Sequence, residues 1–209
     1  MNFTATEEQE KKYFDSQLLL NKKELDGRAR KPPHWTNLVS DIIELSKQND
    51  SIDTIRDLGC GSGAIYQVIK DEFETGNYYG YDKSDYAISL AKDNYSKDNF
   101  FVFDLNDIDE NFIQGDNEIL YMSALLDVLP DANKSLKKIC SFGFKNIIIH
   151  RVNIIEEESR YFQYMAFDVM PSCAFYHNRE ELVDIISKNY EYDIYQNDGH
   201  DFNIRMTRK

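Results

Sequence analysis

Residues 54–69 read TIRDLGCGSGAIYQVI and place three glycines, Gly59, Gly61 and Gly63, within five positions between two apolar runs. The whole chain of 209 residues has only nine glycines. A tight turn needs one. Three at alternate positions let the main chain bend sharply and present its N–H groups to a ligand that approaches the backbone closely. TIRDL reads as a short strand and AIYQVIKDEF as a helix, so the glycines form a strand-to-helix turn.

The same alternation continues downstream. YYGYD is a strand and SDYAISLAKDNY a helix, and NFFVFDL is a strand followed by a loop. EILYMS is a strand, ANKSLKKIC a helix and NIIIHR a strand. Strands separated by helices at this pace predict right-handed crossovers, and hence a parallel sheet with helices on both faces. The tail departs from that rhythm: REELVDIISKNY is a helix, and YEYDIYQ and DFNIRMTR are two strands around NDGHD, an antiparallel finish. Upstream, residues 7–25 read as a polar helix, GRARKPPHW is a basic stretch stopped by Pro32 and Pro33, and Trp35–Lys47 has helical spacing. The chain is expected to be one structural domain, with an N-terminal helical lid on the substrate side over 1–47 and a ligand-binding core over 48–209.

Composition narrows the classes of function. Acidic residues outnumber basic ones 37 to 24, a formal net charge of -13. Such a chain is repelled by phosphate backbones and anionic lipid, so neither nucleic acid nor membrane is expected as a partner. The three cysteines are far apart, in no disulfide or zinc spacing, and MNFTATEEQEKKYF has no apolar signal core. A cytoplasmic protein, monomeric or homodimeric, is expected.

In an open parallel sheet, ligands bind beyond the carboxyl ends of the strands. Gly59, Gly61 and Ala64 also satisfy the dinucleotide pattern G-x-G-x-x-G/A, so a nicotinamide-dependent oxidoreductase is one alternative. Asp57 weighs against it, because a carboxylate beside the turn repels a diphosphate and attracts an ammonium. Asp82, at the end of YYGYD, suits ribose hydroxyls in either case. Asp104, at the end of FFVFD, suits an adenine amino group. Together the three acids describe a ligand with an amino acid, a ribose and an adenine but no phosphate, as in S-adenosylmethionine.

With DLGCGSG at 57–63, GYDKSDYAISLAK at 80–92, FDL at 103–105 and ILYMSALLDVLPD at 119–131, the sequence resembles the class I S-adenosylmethionine-dependent methyltransferases. The resemblance implies a Rossmann-like α/β fold with a seven-stranded, mostly parallel sheet whose last strand is antiparallel. It also implies S-adenosylmethionine as cofactor and S-adenosylhomocysteine as product. By the same resemblance Asp57 and the loop Gly59, Cys60, Gly61 and Gly63 hold the methionine portion, Asp82 the ribose diol, and Asp104 with Leu105 the adenine, with Lys83 and Ser123 as further cofactor contacts. SALLDVLPD, IIIHRVNI and FYHNREELVDIISKNYEYD are further similar to a group of bacterial methyltransferases of cell-surface polysaccharide gene clusters. That similarity points to a small polar acceptor such as a sugar, sugar nucleotide or phosphorylated metabolite.

Methyl transfer to oxygen requires the protein to align the nucleophile and take its proton. His150, at the end of NIIIH, has the side-chain chemistry of a general base, with the alternative of a strand-end cap. Arg151 suits an anionic group, and Asp127 is a candidate to line the transfer site. Arg28, Arg30, His34 and Trp35 in the basic stretch, with Tyr176 and His177 before the last helix, are candidate substrate contacts. Asn178 is a candidate cap for that helix. The segment YFQYMAFDVMPSCAFY reads either as a pocket wall or as ordinary core. No NPPY or DPPY of adenine or glutamine amino-group methylation follows the fourth strand, and no Asp/Asp/Asn metal set stands out, so no metal is expected. N-methylation of a small molecule, aminopropyl transfer and a non-catalytic binding module remain as alternatives.

Overall fold

The computed structural model describes residues 5–25, 33–48, 52–72, 77–109, 112, 115–196 and 201–209. Two helices, α1 (Glu7–Leu25) and α2 (Pro33–Gln48), precede the sheet. Then follow β1 (Thr54–Leu58), α3 (Ala64–Glu72), β2 (Asn77–Asp82), α4 (Asp85–Asn94), β3 (Phe100–Val102) and β4 (Glu118–Ser123). The second half holds α5 (Ala132–Ser141), β5 (Asn146–Ile155), β6 (Arg160–Ala166), β7 (Met170–Asn178), α6 (Arg179–Ile186), β8 (Tyr190–Gln196) and β9 (Phe202–Arg208).

Strands β3-β2-β1-β4-β5 are parallel neighbours. β9 lies antiparallel against the first half of β5, and β8 pairs antiparallel with β9. These seven strands are the mostly parallel sheet that the sequence predicts, with the last strand reversed. All five residues of β1 are buried, as a central strand covered on both faces requires. One face carries α2, α3 and α4 through Trp35, Leu38, Ile42, Val68, Ile69 and Ile88. The other carries α5 and α6 through Leu136, Ile139, Leu182 and Ile186. Ser84 caps α4 by accepting from the Ala87 N–H at 3.1 Å, and Asn178 caps α6 by accepting from the Glu181 N–H at 2.9 Å.

Two features depart from the sequence reading. β5 does not stop at Arg151 but continues to Ile155, across an irregularity in its pairing with β9 between Ile149 and Val152. Beyond it, Asn153–Ile155 pair in parallel with β7. Residues 160–178, an aromatic stretch without a strand assignment in the sequence, form the β6–β7 hairpin in continuous register from Arg160↔Tyr176 to Ala166↔Met170. The hairpin turn hides from sequence rules because Phe167 and Asp168, not glycine or asparagine, take the left-handed backbone, with φ of 50° and 57°.

Candidate active site

The glycine turn leaves β1 at its carboxyl end and enters α3 at Ala64. Gly59, Gly61 and Gly63 all have positive φ, at 75°, 54° and 86°, so each uses backbone freedom that other residues lack. The turn is pinned to β2, where the Tyr81 carbonyl accepts from the N–H groups of Gly59 at 2.7 Å and Cys60 at 3.1 Å. At Gly63 a Cβ would lie 2.8 Å from the Phe100 ring and 2.9 Å from the Ala91 Cβ. At Gly61 a Cβ would lie 2.6 Å from Gln17 Oε1 on α1, and at Gly59 2.9 Å from Leu125 Cδ1.

Three acids line the strand ends around it. Asp57 is buried, accepts from the Tyr78 hydroxyl at 2.5 Å, and has its carboxyl pushed up to about 7 by burial. Asp82 accepts from the Gly61 N–H and the Ser84 N–H, both at 2.9 Å, and burial raises its pKa as well. Asp104 is exposed at the end of the third strand segment and accepts from the Asn106 N–H at 2.8 Å, with Leu105 half-buried beside it. Lys83 is exposed and Cys60 half-buried, and burial pushes the Cys60 thiol up.

α1 lies over the turn. Gln17 Oε1 accepts from both the N–H and the hydroxyl of Ser62 at 3.2 Å, and Asn21 donates to the Ser62 hydroxyl at 3.3 Å. Tyr86 on α4 donates to Asp15 at 2.7 Å, and the Tyr13 and Phe167 rings are 5.6 Å apart. α1 therefore joins the glycine turn to the tip of the hairpin. Nothing in the sequence of α1 pointed to Gln17.

On the acceptor side, Ala124, just past β4, and Arg151, at the pairing irregularity within β5, both have positive φ, at 51° and 59°. Left-handed backbone at non-glycine residues stores strain of the kind that gathers at working sites. Arg151 donates from Nε to the Ser123 hydroxyl at 3.0 Å. Its charge opposes the upward push of burial on Asp57 and Asp127, and acts likewise on Glu24 and Tyr13 of α1. Asp127 accepts from the Asn153 N–H at 3.2 Å and from its side-chain amide at 2.8 Å. Burial, with Asp201 nearby, moves its carboxyl up to about 7.

The remaining candidates are placed elsewhere. His150 is 0 % exposed and pairs through Nε2 with Asp41 of α2 at 2.7 Å, while Nδ1 is 3.4 Å from the Tyr121 hydroxyl. Asp41 also accepts from the Tyr195 hydroxyl at 2.5 Å, so His150 ties α2 to β5 and β8 and faces no open cleft in this conformation. Trp35 is core. His177 is buried, bonds Asn133 at 2.8 Å, and is lowered to about 4 by burial. Tyr176 is half-buried, its ring edge-on to Phe162 at 5.5 Å. Arg28 and Arg30 lie outside the described residues, as does the side chain of His34. The site thus brings together Asp57, the glycines, Asp82, Ser123, Asp127 and Arg151. Among the described residues no cluster of three or more metal-binding side chains occurs, and no helix is long and apolar enough to cross a membrane.

The donor set fits S-adenosylmethionine: a buried carboxylate at the end of β1 that an ammonium would pair, and a second at the end of β2 that ribose hydroxyls would reach. Comparison with known proteins agrees. The profile of a methyltransferase domain matches residues 49–199. No curated protein sequence matches significantly. Among solved structures, an S-adenosylmethionine-dependent methyltransferase from Clostridium acetobutylicum ATCC 824 superposes with a TM-score of 0.60 at 11% identity, covering 93% of this chain and 98% of that one. Magnesium protoporphyrin IX methyltransferase from Synechocystis PCC 6803, with S-adenosylmethionine bound, gives 0.59 at 14% identity over 95% of each chain. The N-terminal domain of EvdMO1, in the presence of S-adenosylhomocysteine and D-fucose, gives 0.59 at 10% identity, covering 81% of this chain and 82% of that one. At these identities the neighbours speak to the fold, and the domain match speaks to the family: the chain belongs to the methyltransferase-domain family and has the class I S-adenosylmethionine-dependent methyltransferase fold.

Proposed function

We propose that the protein transfers a methyl group from S-adenosylmethionine to a hydroxyl of a small polar molecule: a sugar, sugar nucleotide or phosphorylated metabolite of surface-polysaccharide biosynthesis. The observation that carries the reading is Asp57, a buried carboxylate at the foot of the glycine turn with Asp82 on the neighbouring strand. The bound cofactor supplies an electrophilic methyl on a sulfonium, whose departure leaves a neutral thioether. The protein's own part is binding, orientation and proton transfer. Asp57 receives the ammonium, Asp82 the ribose hydroxyls, and Asp104 with Leu105 the adenine. Residues 1–47 act as the covering segment and 48–209 as the core, with Gln17 on Ser62 keeping water from the turn.

For the proton, Asp127 is the better placed base in this conformation. It stands at the strand ends with its carboxyl at about 7, whereas His150 is enclosed against Asp41. Arg151 holds an anionic group of the acceptor. The sugar assignment is supported by the polysaccharide-cluster resemblance and by the EvdMO1 structure having been determined in the presence of D-fucose; other neighbours are named for a porphyrin and for plantazolicin. A second reading, methylation of a small amine, is favoured by the acids Glu24, Asp127 and Asp201 whose charges meet around Arg151 and Asp127. The test is a mass-spectrometric screen for the gain of one methyl across sugar nucleotides, phosphorylated metabolites and small amines. A methylated hydroxyl on a sugar or phosphorylated metabolite supports the reading, a methylated amine shifts it to the second, and methyl found only on protein or RNA overturns both.

A further inference from the structure

The β6 strand ends the sheet order β3-β2-β1-β4-β5-β7-β6, and its outer edge pairs with nothing among the described residues. Each of Arg160–Met165 is exposed, yet Tyr161, Phe162, Tyr164 and Met165 are large and apolar, with Phe162 50 % exposed. Soluble proteins blunt such edges with lysine, proline, bulges or short strands. β6 has none of these. It contains no lysine or proline, runs seven residues, and keeps unbroken register with β7. Its only charge, Arg160, lies over its own neighbour, the Phe162 ring, at 5.5 Å from the centroid.

We propose that β6 is the interface of a homodimer, in which the edge strands of two copies pair antiparallel about a two-fold axis at Gln163 and join the two sheets into one. The occupant follows from the strand's own pattern. Antiparallel pairing centred on Gln163 sets Gln163 beside its own copy, Phe162 of one copy beside Tyr164 of the other and Tyr161 beside Met165, so on either side of the axis aromatic meets aromatic or methionine and no charges meet between 161 and 165. A half-exposed aromatic offers on the order of 100 Å² to a partner, so Tyr161, Phe162, Tyr164 and Met165, with Phe167 at the turn, expose about 500 Å² per copy, and a dimer that covered all of it would bury the roughly 1,000 Å² that a specific interface needs. At a net charge of -13 two copies repel generally, and the run 161–165 adds no charge of its own to that repulsion. Added salt therefore strengthens the dimer by screening the repulsion.

Sedimentation equilibrium of the full chain at micromolar concentrations tests the proposal, with thermal unfolding to verify that each variant is folded. The wild type is expected near twice the 24.5 kDa chain mass, about 49 kDa, more completely at higher salt. A Phe162→Lys/Tyr164→Lys variant sets lysine against lysine across the axis and is expected at the monomer mass. A Phe162→Lys/Tyr164→Glu variant sets lysine against glutamate and is expected to return to the dimer. A wild type that stays monomeric at all concentrations overturns the proposal, as does a folded Lys/Lys variant that remains dimeric. Should the Lys/Lys chain fail to fold, the wild-type mass and the Lys/Glu variant decide: a folded Lys/Glu chain at the monomer mass also overturns it.

Discussion

Asp57 and Asp127 give the protein a definite response to pH. Each carboxyl is at about 7 in the folded chain, against about 4 when unfolded. The folded state therefore keeps two protons over a range in which the unfolded state has released them. The stability they contribute is full below pH of about 4 and is lost as pH rises through about 7. The ligand-free protein is expected to melt at a lower temperature at pH 8 than at pH 5, and calorimetry across that range checks it. Binding runs the opposite way, because an ammonium beside Asp57 needs the carboxylate. S-adenosylhomocysteine affinity is expected to weaken about tenfold from pH 8 to pH 6, with proton release on binding seen as a buffer-dependent heat. Asp127→Asn is expected to lower kcat by about 10²–10⁴ and to remove the limb near pH 7 from the acceptor's kcat/KM profile at saturating S-adenosylmethionine, where Asp57 is already ionised, with cofactor affinity kept. An unchanged limb would take the proton-transfer role from Asp127. At this scale the sequence was legible where chemistry is local. Asp57 two residues before the first glycine, Asp82 at a strand end and Asn178 before a helix can all be read in a line. His150 cannot, because the Asp41 that encloses it is 109 residues away, and no local pattern records that contact.

The elements depend on contacts of similar range. Arg56 on β1 and Glu118 on β4 form a buried bidentate pair, at 2.7 and 3.1 Å, joined by the Tyr81 hydroxyl at 2.8 Å. Glu118→Ala leaves the guanidinium buried without its carboxylate, and is expected to cost about 3–5 kcal/mol in urea unfolding. The glycine turn is equally intolerant. Gly63→Ala adds a methyl against Phe100 and Ala91 at a φ of 86°, with an expected loss of about 2–4 kcal/mol. Apolar periodicity recovered α1 and the strand–helix alternation from β1 to β5, since each of those elements buries one face or two. It missed the hairpin because β6 buries almost nothing and its turn uses Phe167 and Asp168. An exposed strand closed by an atypical turn leaves neither alternation nor a glycine to read.

Over the whole molecule, the order β3-β2-β1-β4-β5 with β9 and β8 beyond it brings the ends of β1, β2, β4 and β5 to one rim. That rim carries Asp57, Asp82, Asp127 and Arg151, while α1 spans it from the glycine turn to the hairpin. The antiparallel finish was visible as two strands in the tail; its insertion of β9 beside β5 was not, because strand order is set by tertiary packing. This rim is expected to bind a nucleoside carrying an amino acid and no phosphate. Isothermal titration at pH 8 with S-adenosylhomocysteine and, separately, NADH tests it most directly, on the wild type and on Asp57→Asn. Saturable S-adenosylhomocysteine binding is expected for the wild type, at least tenfold weaker in the variant, with no NADH binding by either. NADH binding without S-adenosylhomocysteine binding would contradict it.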